Sequence, residues 1–117
     1  MGKAEDKHPV HGYVRNDVRD KFENARRLLG LTSESAYLTL LVLRELELPQ
    51  LTAPSGQEAG PRKAKVSAYL PRVIYDRFKA HSDSLGRNLS DCAADLIDKE
   101  LAQNWFRAAL AMPVATP

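Results

Sequence analysis

Several features are scarce in this chain of 117 residues, and each shortage excludes a class of protein. Cys92 is the single cysteine, so no internal disulfide forms, and we expect a small helix residue that faces the core. The longest run of mostly apolar residues, Tyr37 to Leu43, is far shorter than the roughly 20 residues of a membrane span. The N-terminus lacks the apolar segment of a secretion signal. We therefore expect a cytoplasmic protein with no membrane partner.

Groups that catalyse reactions or bind metal ions are also scarce. No Ser-His-Asp order, Gly-rich phosphate loop or pair of catalytic carboxylates is recognisable. His8 and His11 are too few ligands for a metal site. His81 falls on an inward helix face, where we expect a hydrogen-bonded core histidine. We predict no catalytic residues, no metal and no cofactor, and we do not expect an enzyme.

Two short stretches alternate between apolar and polar residues, as a β-strand with one buried face does. Residues 65–70 show the clearer pattern, and residues 10–14 repeat it, although Pro9 and Gly12 weaken that strand. Strands this short are not stable alone, so we predict that the two stretches pair.

Each predicted strand is followed by two stretches with helical periodicity. The first helix ends at Gly30, and Thr32 is the predicted N-cap of a second helix over residues 33–46. That second helix is apolar over more than one face, so it must be buried on two sides. After the second strand, Gly86 ends one helix, and Asn88 caps a last helix that extends to about residue 112.

The strand-helix-helix unit occurs twice, because adding 56 to the residue numbers of the first copy superimposes it on the second. Tyr13 then matches Tyr69, and Gly30 matches Gly86. We predict a first repeat at 8–48, a linker at 49–62 and a second repeat at 63–112, all in one compact domain. The pseudo-symmetry of such a pair places His11 opposite Ser67.

A strand followed by two helices resembles the ribbon-helix-helix superfamily of DNA-binding proteins, the Arc, MetJ and CopG type. The resemblance rests on residues 65–71 and on the segments Gly86 to Ser90 and Gly30 to Ser35. It implies a mainly α fold with a two-stranded antiparallel ribbon, formed by tandem repeats as an intramolecular pseudo-dimer. The fused arrangement is similar to TraY-type proteins of conjugative plasmids. The implied partner is double-stranded DNA, bound by a transcriptional repressor or a conjugation accessory factor associated with the nucleoid or a plasmid.

The outward side chains of such a ribbon can contact base edges in the major groove. Lysine can donate to guanine acceptors, and serine can bond to several bases. Pro9 occupies an outward position and cannot donate, so we expect two unequal half-sites. The predicted base-reading residues are His11, Tyr13, Lys65, Ser67 and Tyr69.

Phosphates are expected beside the ribbon, where the second helix of each repeat begins and its amides attract anions. Glu34 argues against this, since a carboxylate competes with phosphate. Basic residues cluster near the second strand, and acidic ones, Asp98 among them, gather on the last helix, although both sets could be ordinary solvated surface. The predicted phosphate-binding residues are Lys7, Arg15, Thr32, Ser33, Arg62, Lys63, Arg72, Asn88, Leu89 and Ser90.

The C-terminal stretch carries apolar residues that the repeat itself does not require. Trp105, Phe106 and Leu110 either cover the second apolar face of the 33–46 helix or bind a partner. The alternative function is therefore an antitoxin-like interaction module that binds through this helix, or self-association along DNA. A helical protein that does not bind nucleic acid is the remaining rival.

Overall fold

The computed structural model describes residues 7–52 and 62–103. Within these residues the protein is mainly helical with one two-stranded antiparallel sheet, and no helix is long and apolar enough to cross a membrane. Trp105, Phe106, Leu110 and most of the predicted linker lie outside the described residues. The elements are β1 (Lys7–Val14), α1 (Asn16–Leu29), α2 (Glu34–Glu47), β2 (Ala64–Pro71), α3 (Arg72–Ser84) and α4 (Leu89–Gln103).

The sheet joins β1 to β2 over eight residues of each strand. His11 lies opposite Ser67 and Tyr13 opposite Lys65, so the predicted register is confirmed. Pro9 does not interrupt β1, because each strand of a two-stranded sheet is an edge that tolerates a missing donor. One face of the sheet is buried, through Val10, Gly12, Val14, Val66, Ala68 and Leu70.

The second helix of each half of the chain packs against the strand of the other half. α4 packs mainly against β1, and α2 packs mainly against β2. α4 and β1 approach each other closely at Gly12, where an added Cβ would lie 2.9 Å from the Ala94 backbone nitrogen. Gly12 is therefore where the strand admits a helix, as glycine often does where backbones meet closely. The core is therefore built from elements of both halves of the chain.

An aromatic pair and a buried carboxylate occupy the centre of the core. The Phe22 and Tyr37 rings stack with centroids 4.3 Å apart. The Tyr37 hydroxyl donates to Glu100 Oε2 at 2.9 Å, so this fully buried carboxylate has a hydrogen-bond donor. Cys92 is buried as predicted, and burial raises the pKa of its thiol, which keeps it in the unreactive form.

Glycines and an asparagine end and start helices where the sequence indicates. Gly30 and Gly86 have positive φ angles of 74° and 71°, a left-handed conformation that glycine adopts without steric cost. Asn88 caps α4, because its Oδ1 accepts a hydrogen bond from the Asp91 amide at 2.7 Å. These local signals are confirmed.

The predicted N-cap of α2 is wrong by one residue. Ser33, and not Thr32, caps the helix, because Ser33 Oγ accepts from the Ala36 amide at 3.0 Å. Leu31 is still bound to α1, since its amide donates to the Arg26 carbonyl at 3.1 Å. Thr32 is therefore the residue that connects the end of α1 to α2, and the N-cap is the next residue, Ser33.

The first residues after α2 are held by the buried carboxylate of Glu45. That carboxylate accepts hydrogen bonds from the amides of Gln50 at 2.8 Å and Leu51 at 3.1 Å. His81 Nε2 lies 2.7 Å from Glu45 Oε2, so the predicted hydrogen-bonded histidine is confirmed. Leu51 is only 5% exposed. Leu51, which the sequence analysis assigns to the linker, is therefore part of the core.

Candidate nucleic-acid interface

The sheet face turned away from the helices carries all five predicted base-reading residues. We call this surface the ribbon face. Neither strand contains an aspartate or a glutamate. Tyr13 and Tyr69 are 43% and 52% exposed, so aromatic rings and hydroxyls are available on both strands. The ribbon face consists of Lys7, Pro9, His11, Tyr13, Lys65, Ser67 and Tyr69.

A hydrogen bond joins the two residues at the centre of the ribbon face. His11 Nδ1 lies 2.7 Å from Ser67 Oγ, and both side chains are half-buried. The two residues are direct cross-strand neighbours. The sequence predicts them as separate base contacts, whereas the structure brings them together as a bonded pair.

Three exposed lysines lie on or next to the ribbon face. Lys7 opens β1, Lys65 lies opposite Tyr13, and Lys63 directly precedes β2. None of the three forms an ion pair with a residue in the described ranges. Their ammonium groups are therefore available for an external anion or a hydrogen-bond acceptor.

A cleft of about 550 Å³ separates the ribbon face from α1 and the start of α2. Its lining brings together four of the predicted DNA-contacting residues: Thr32, Ser33, Lys65 and Ser67. Two arginines that the sequence analysis did not select, Arg19 and Arg26, also line the cleft. Their spacing of seven residues places them on one side of α1, and that signal could have identified them.

The charges that line this cleft cancel, because three basic side chains face three acidic ones. Arg19 pairs with Glu34 at 3.2 Å. Arg26 bonds to Glu23 through two nitrogens, and that guanidinium holds the pKa of Glu23 down at about 2. Lys65 is therefore the cleft's basic group without an ionic partner among the described residues. A phosphate at the start of α2 would compete with Glu34.

Ser35 fixes the start of α2 against the sheet. The Tyr69 amide donates to Ser35 Oγ at 3.3 Å, which uses an otherwise unpaired edge donor of β2. The contact places the α2 N-terminus beside an exposed aromatic residue of the ribbon face. It depends on tertiary structure, so no local pattern indicates it.

Two predicted phosphate-binding arginines lie elsewhere and already contact carboxylates. Arg15 donates to Asp17 at 3.1 and 3.0 Å. Arg62 lies 3.3 Å from Asp98, and both line a cavity of about 240 Å³ with Arg15. Burial raises the pKa of Asp98, although the Arg62 guanidinium opposes that shift. Asp98 lies on α4, as the sequence indicates, but Arg62 reaches across to it, so this acidic residue is not apart from the basic residues near β2.

The remaining predicted phosphate-binding residues are dispersed. Arg72 lies 3.8 Å from Asp76 on the first turns of α3. Asn88 uses its side chain as the α4 cap, while Leu89 and Ser90, both half-buried, open that helix. None of these four lines either cavity.

His8 and His11 cannot share a metal ion in this geometry. They lie on opposite faces of β1, because side chains alternate along a strand. His11 bonds to Ser67 on the ribbon face, whereas the His8 ring lies with its centroid 4.9 Å from that of Tyr75.

The helices and the paired strands alone do not specify a function, because one fold supports many functions. The chemical groups on the ribbon face and beside it are the basis for a functional assignment. Comparison of the chain with protein-family models, with curated proteins and with solved structures gives no match in any of the three.

Proposed function

We propose that this protein binds double-stranded DNA sequence-specifically by inserting the β1–β2 ribbon into the major groove, as a tandem ribbon-helix-helix pseudo-dimer. The observation that carries the proposal is the ribbon face. It presents hydrogen-bonding side chains, and lysines that form no ion pair with the described residues, without a carboxylate on either strand.

The dimensions of the ribbon support this proposal. Paired strands lie about 4.8 Å apart, and eight residues of a strand extend over about 26 Å. The major groove of B-DNA is about 12 Å wide and 8.5 Å deep, which admits a two-stranded ribbon with its side chains. The outward side chains would then meet base edges, and the buried face would stay against the helices.

The side chains on the ribbon face suit base recognition. Lys65 can donate to guanine O6 and N7, and the tyrosine hydroxyls can bond to base edges or phosphates. Pro9 is the counterpart of Lys65 in the other repeat, and it has no donor. The half-site that faces Lys65 should therefore be bound more specifically, and the target should be an imperfect palindrome or a direct repeat.

The crossed packing supports the pseudo-dimer. Each second helix covers the strand of the other half, which is the arrangement expected when two copies of one unit form a shared core. We infer that the protein acts as a transcriptional repressor or as an accessory factor at a plasmid origin of transfer. Both roles use the same ribbon chemistry.

Binding measurements on the full chain test the proposal. Fluorescence anisotropy with a random duplex pool at several salt concentrations should give an affinity that falls steeply with salt, because lysines displace counterions. Selection from the pool should then yield one sequence family. Absence of binding at low salt would contradict the proposal.

Matched lysine variants locate the contact. Lys65→Ala should weaken binding to the selected duplex by roughly 1–3 kcal/mol and relax its sequence preference. Lys63→Ala should lower the affinity for all duplexes alike. Lys79→Ala is the control, because Lys79 lies on α3 and pairs with Asp83 at 3.3 Å. Equal losses for Lys65→Ala and Lys79→Ala would exclude the ribbon face as the contact surface.

A further inference from the structure

The central pair of the ribbon face occupies a unique position. His11 and Ser67 are 56 residues apart, the same offset that relates the two repeats, and they face each other across the sheet. They are therefore equivalent positions of the two repeats that meet at the pseudo-symmetry axis. In a symmetric arrangement these positions would carry identical side chains, whereas this chain has an imidazole opposite a hydroxyl.

The hydrogen bond between them couples their donor and acceptor roles. A neutral imidazole has one N–H donor and one acceptor nitrogen, and a hydroxyl has one donor and two lone pairs. If Ser67 donates to Nδ1, then Nε2–H of His11 is a free donor and Ser67 Oγ still accepts. If Nδ1–H donates to Ser67, then Nε2 accepts and the hydroxyl proton is free.

Both arrangements offer DNA one donor and one acceptor. His11 Nε2 makes no hydrogen bond to a residue in the described ranges, so it is available to a ligand. The exchange of roles moves a proton within the pair and leaves the charge unchanged. The pair thus resembles the amide of asparagine or glutamine, which offers the same two functions.

We infer that His11 and Ser67 act as one donor–acceptor unit that sets the base preference at the centre of the DNA site. This inference rests on the proposed DNA binding. Adenine presents a donor and an acceptor, N6 and N7, in the major groove, whereas guanine presents two acceptors, N7 and O6. The unit therefore favours adenine over guanine at the central position, while Lys65 favours guanine further out.

A double-mutant cycle on the full chain tests the coupling. The affinities of the wild type, His11→Ala, Ser67→Ala and the double variant are measured for the selected duplex and for a duplex with guanine substituted for the central adenine. In each single variant, the ratio of the affinities for the adenine duplex and the guanine duplex should fall roughly tenfold. The double variant should lose no more of this discrimination than either single variant. Either substitution alone already removes the hydrogen bond on which the discrimination depends.

Two controls separate this inference from folding effects and from the proposed function. Ser67→Thr keeps the hydroxyl on a residue that strands favour, so it should retain the central preference. In the free protein, Ser67→Ala should shift the imidazole ¹⁵N resonances of His11, which reports the hydrogen bond without DNA.

The outcomes are distinct. Losses that multiply in the double variant, or unchanged ¹⁵N resonances in Ser67→Ala, overturn the coupled unit while DNA binding stands. A wild-type chain that selects no sequence overturns the proposed function itself.

Discussion

Gly12 of β1 lies against the backbone of Ala94, where α4 packs on that strand. An added Cβ on Gly12 would lie 2.9 Å from the Ala94 nitrogen and 3.2 Å from the Ala93 Cβ. β1, in the first half of the chain, and α4, in the second half, are thus in close backbone contact. This contact makes Gly12 a structural requirement of the core.

Gly12→Ala should destabilise the protein by about 1–3 kcal/mol, because the added methyl group overpacks a buried contact with little room to move. Urea denaturation followed by circular dichroism measures the free energy of unfolding. Lys63→Ala is the exposed control and should stay within about 0.5 kcal/mol of the wild type. A Gly12→Ala variant as stable as that control would show that α4 does not pack this closely.

Leu51→Ala should cost about 2–5 kcal/mol, the range for removal of a buried leucine side chain. Leu48→Ala is the matched control, because the same truncation is made at a side chain that is 58% exposed and only three residues away. Thermal or urea denaturation of the pair distinguishes a core residue from a linker residue. Equal stabilities of the two variants would place Leu51 outside the core.

Much of the sheet follows from sequence, whereas contacts between distant elements do not. The alternation in residues 65–70 and the 56-residue repeat together specify the register, so His11 opposite Ser67 is predictable. Leu51 is a single apolar residue in a segment without periodicity, and no local pattern marks it as buried. Its burial depends on space left by other elements.

In the candidate site, too, some features can be predicted from sequence and others depend on contacts between distant elements. The outward positions of the ribbon follow from the period of two along a strand. The Arg19–Glu34 pair, which lowers the positive charge at the start of α2, joins two helices across a turn and has no signature in either helix alone. The N-cap at Ser33 likewise depends on how Leu31 is held by α1.

Tyr37→Phe should destabilise the protein by about 1–3 kcal/mol, because it removes a hydroxyl donor from the buried Glu100 carboxylate. The ring and its stacking on Phe22 are retained. Tyr13→Phe makes the same change at an exposed hydroxyl and should have an effect within about 0.5 kcal/mol. Similar unfolding free energies for the two variants would argue against the buried hydrogen bond.

Glu23 should contribute stability that depends on pH. Its folded pKa is lowered from 4.5 to about 2, so the stabilisation is present above pH 4.5 and is lost as the pH falls towards 2. Glu23→Gln should therefore be less stable than the wild type at pH 7, and the difference should shrink between pH 4.5 and pH 2. Urea titrations across this range measure it, with Glu47→Gln as an exposed control. A difference that does not depend on pH would contradict the ion pair with Arg26.

Methylation interference on the selected duplex tests the central claim most directly. Dimethyl sulfate modifies guanine N7 in the major groove and adenine N3 in the minor groove. If the β1–β2 ribbon occupies the major groove, modified guanines should prevent binding of the wild type, and Lys65→Ala should lose this sensitivity at one half-site. Interference confined to adenine N3, or none at any position, would contradict the account.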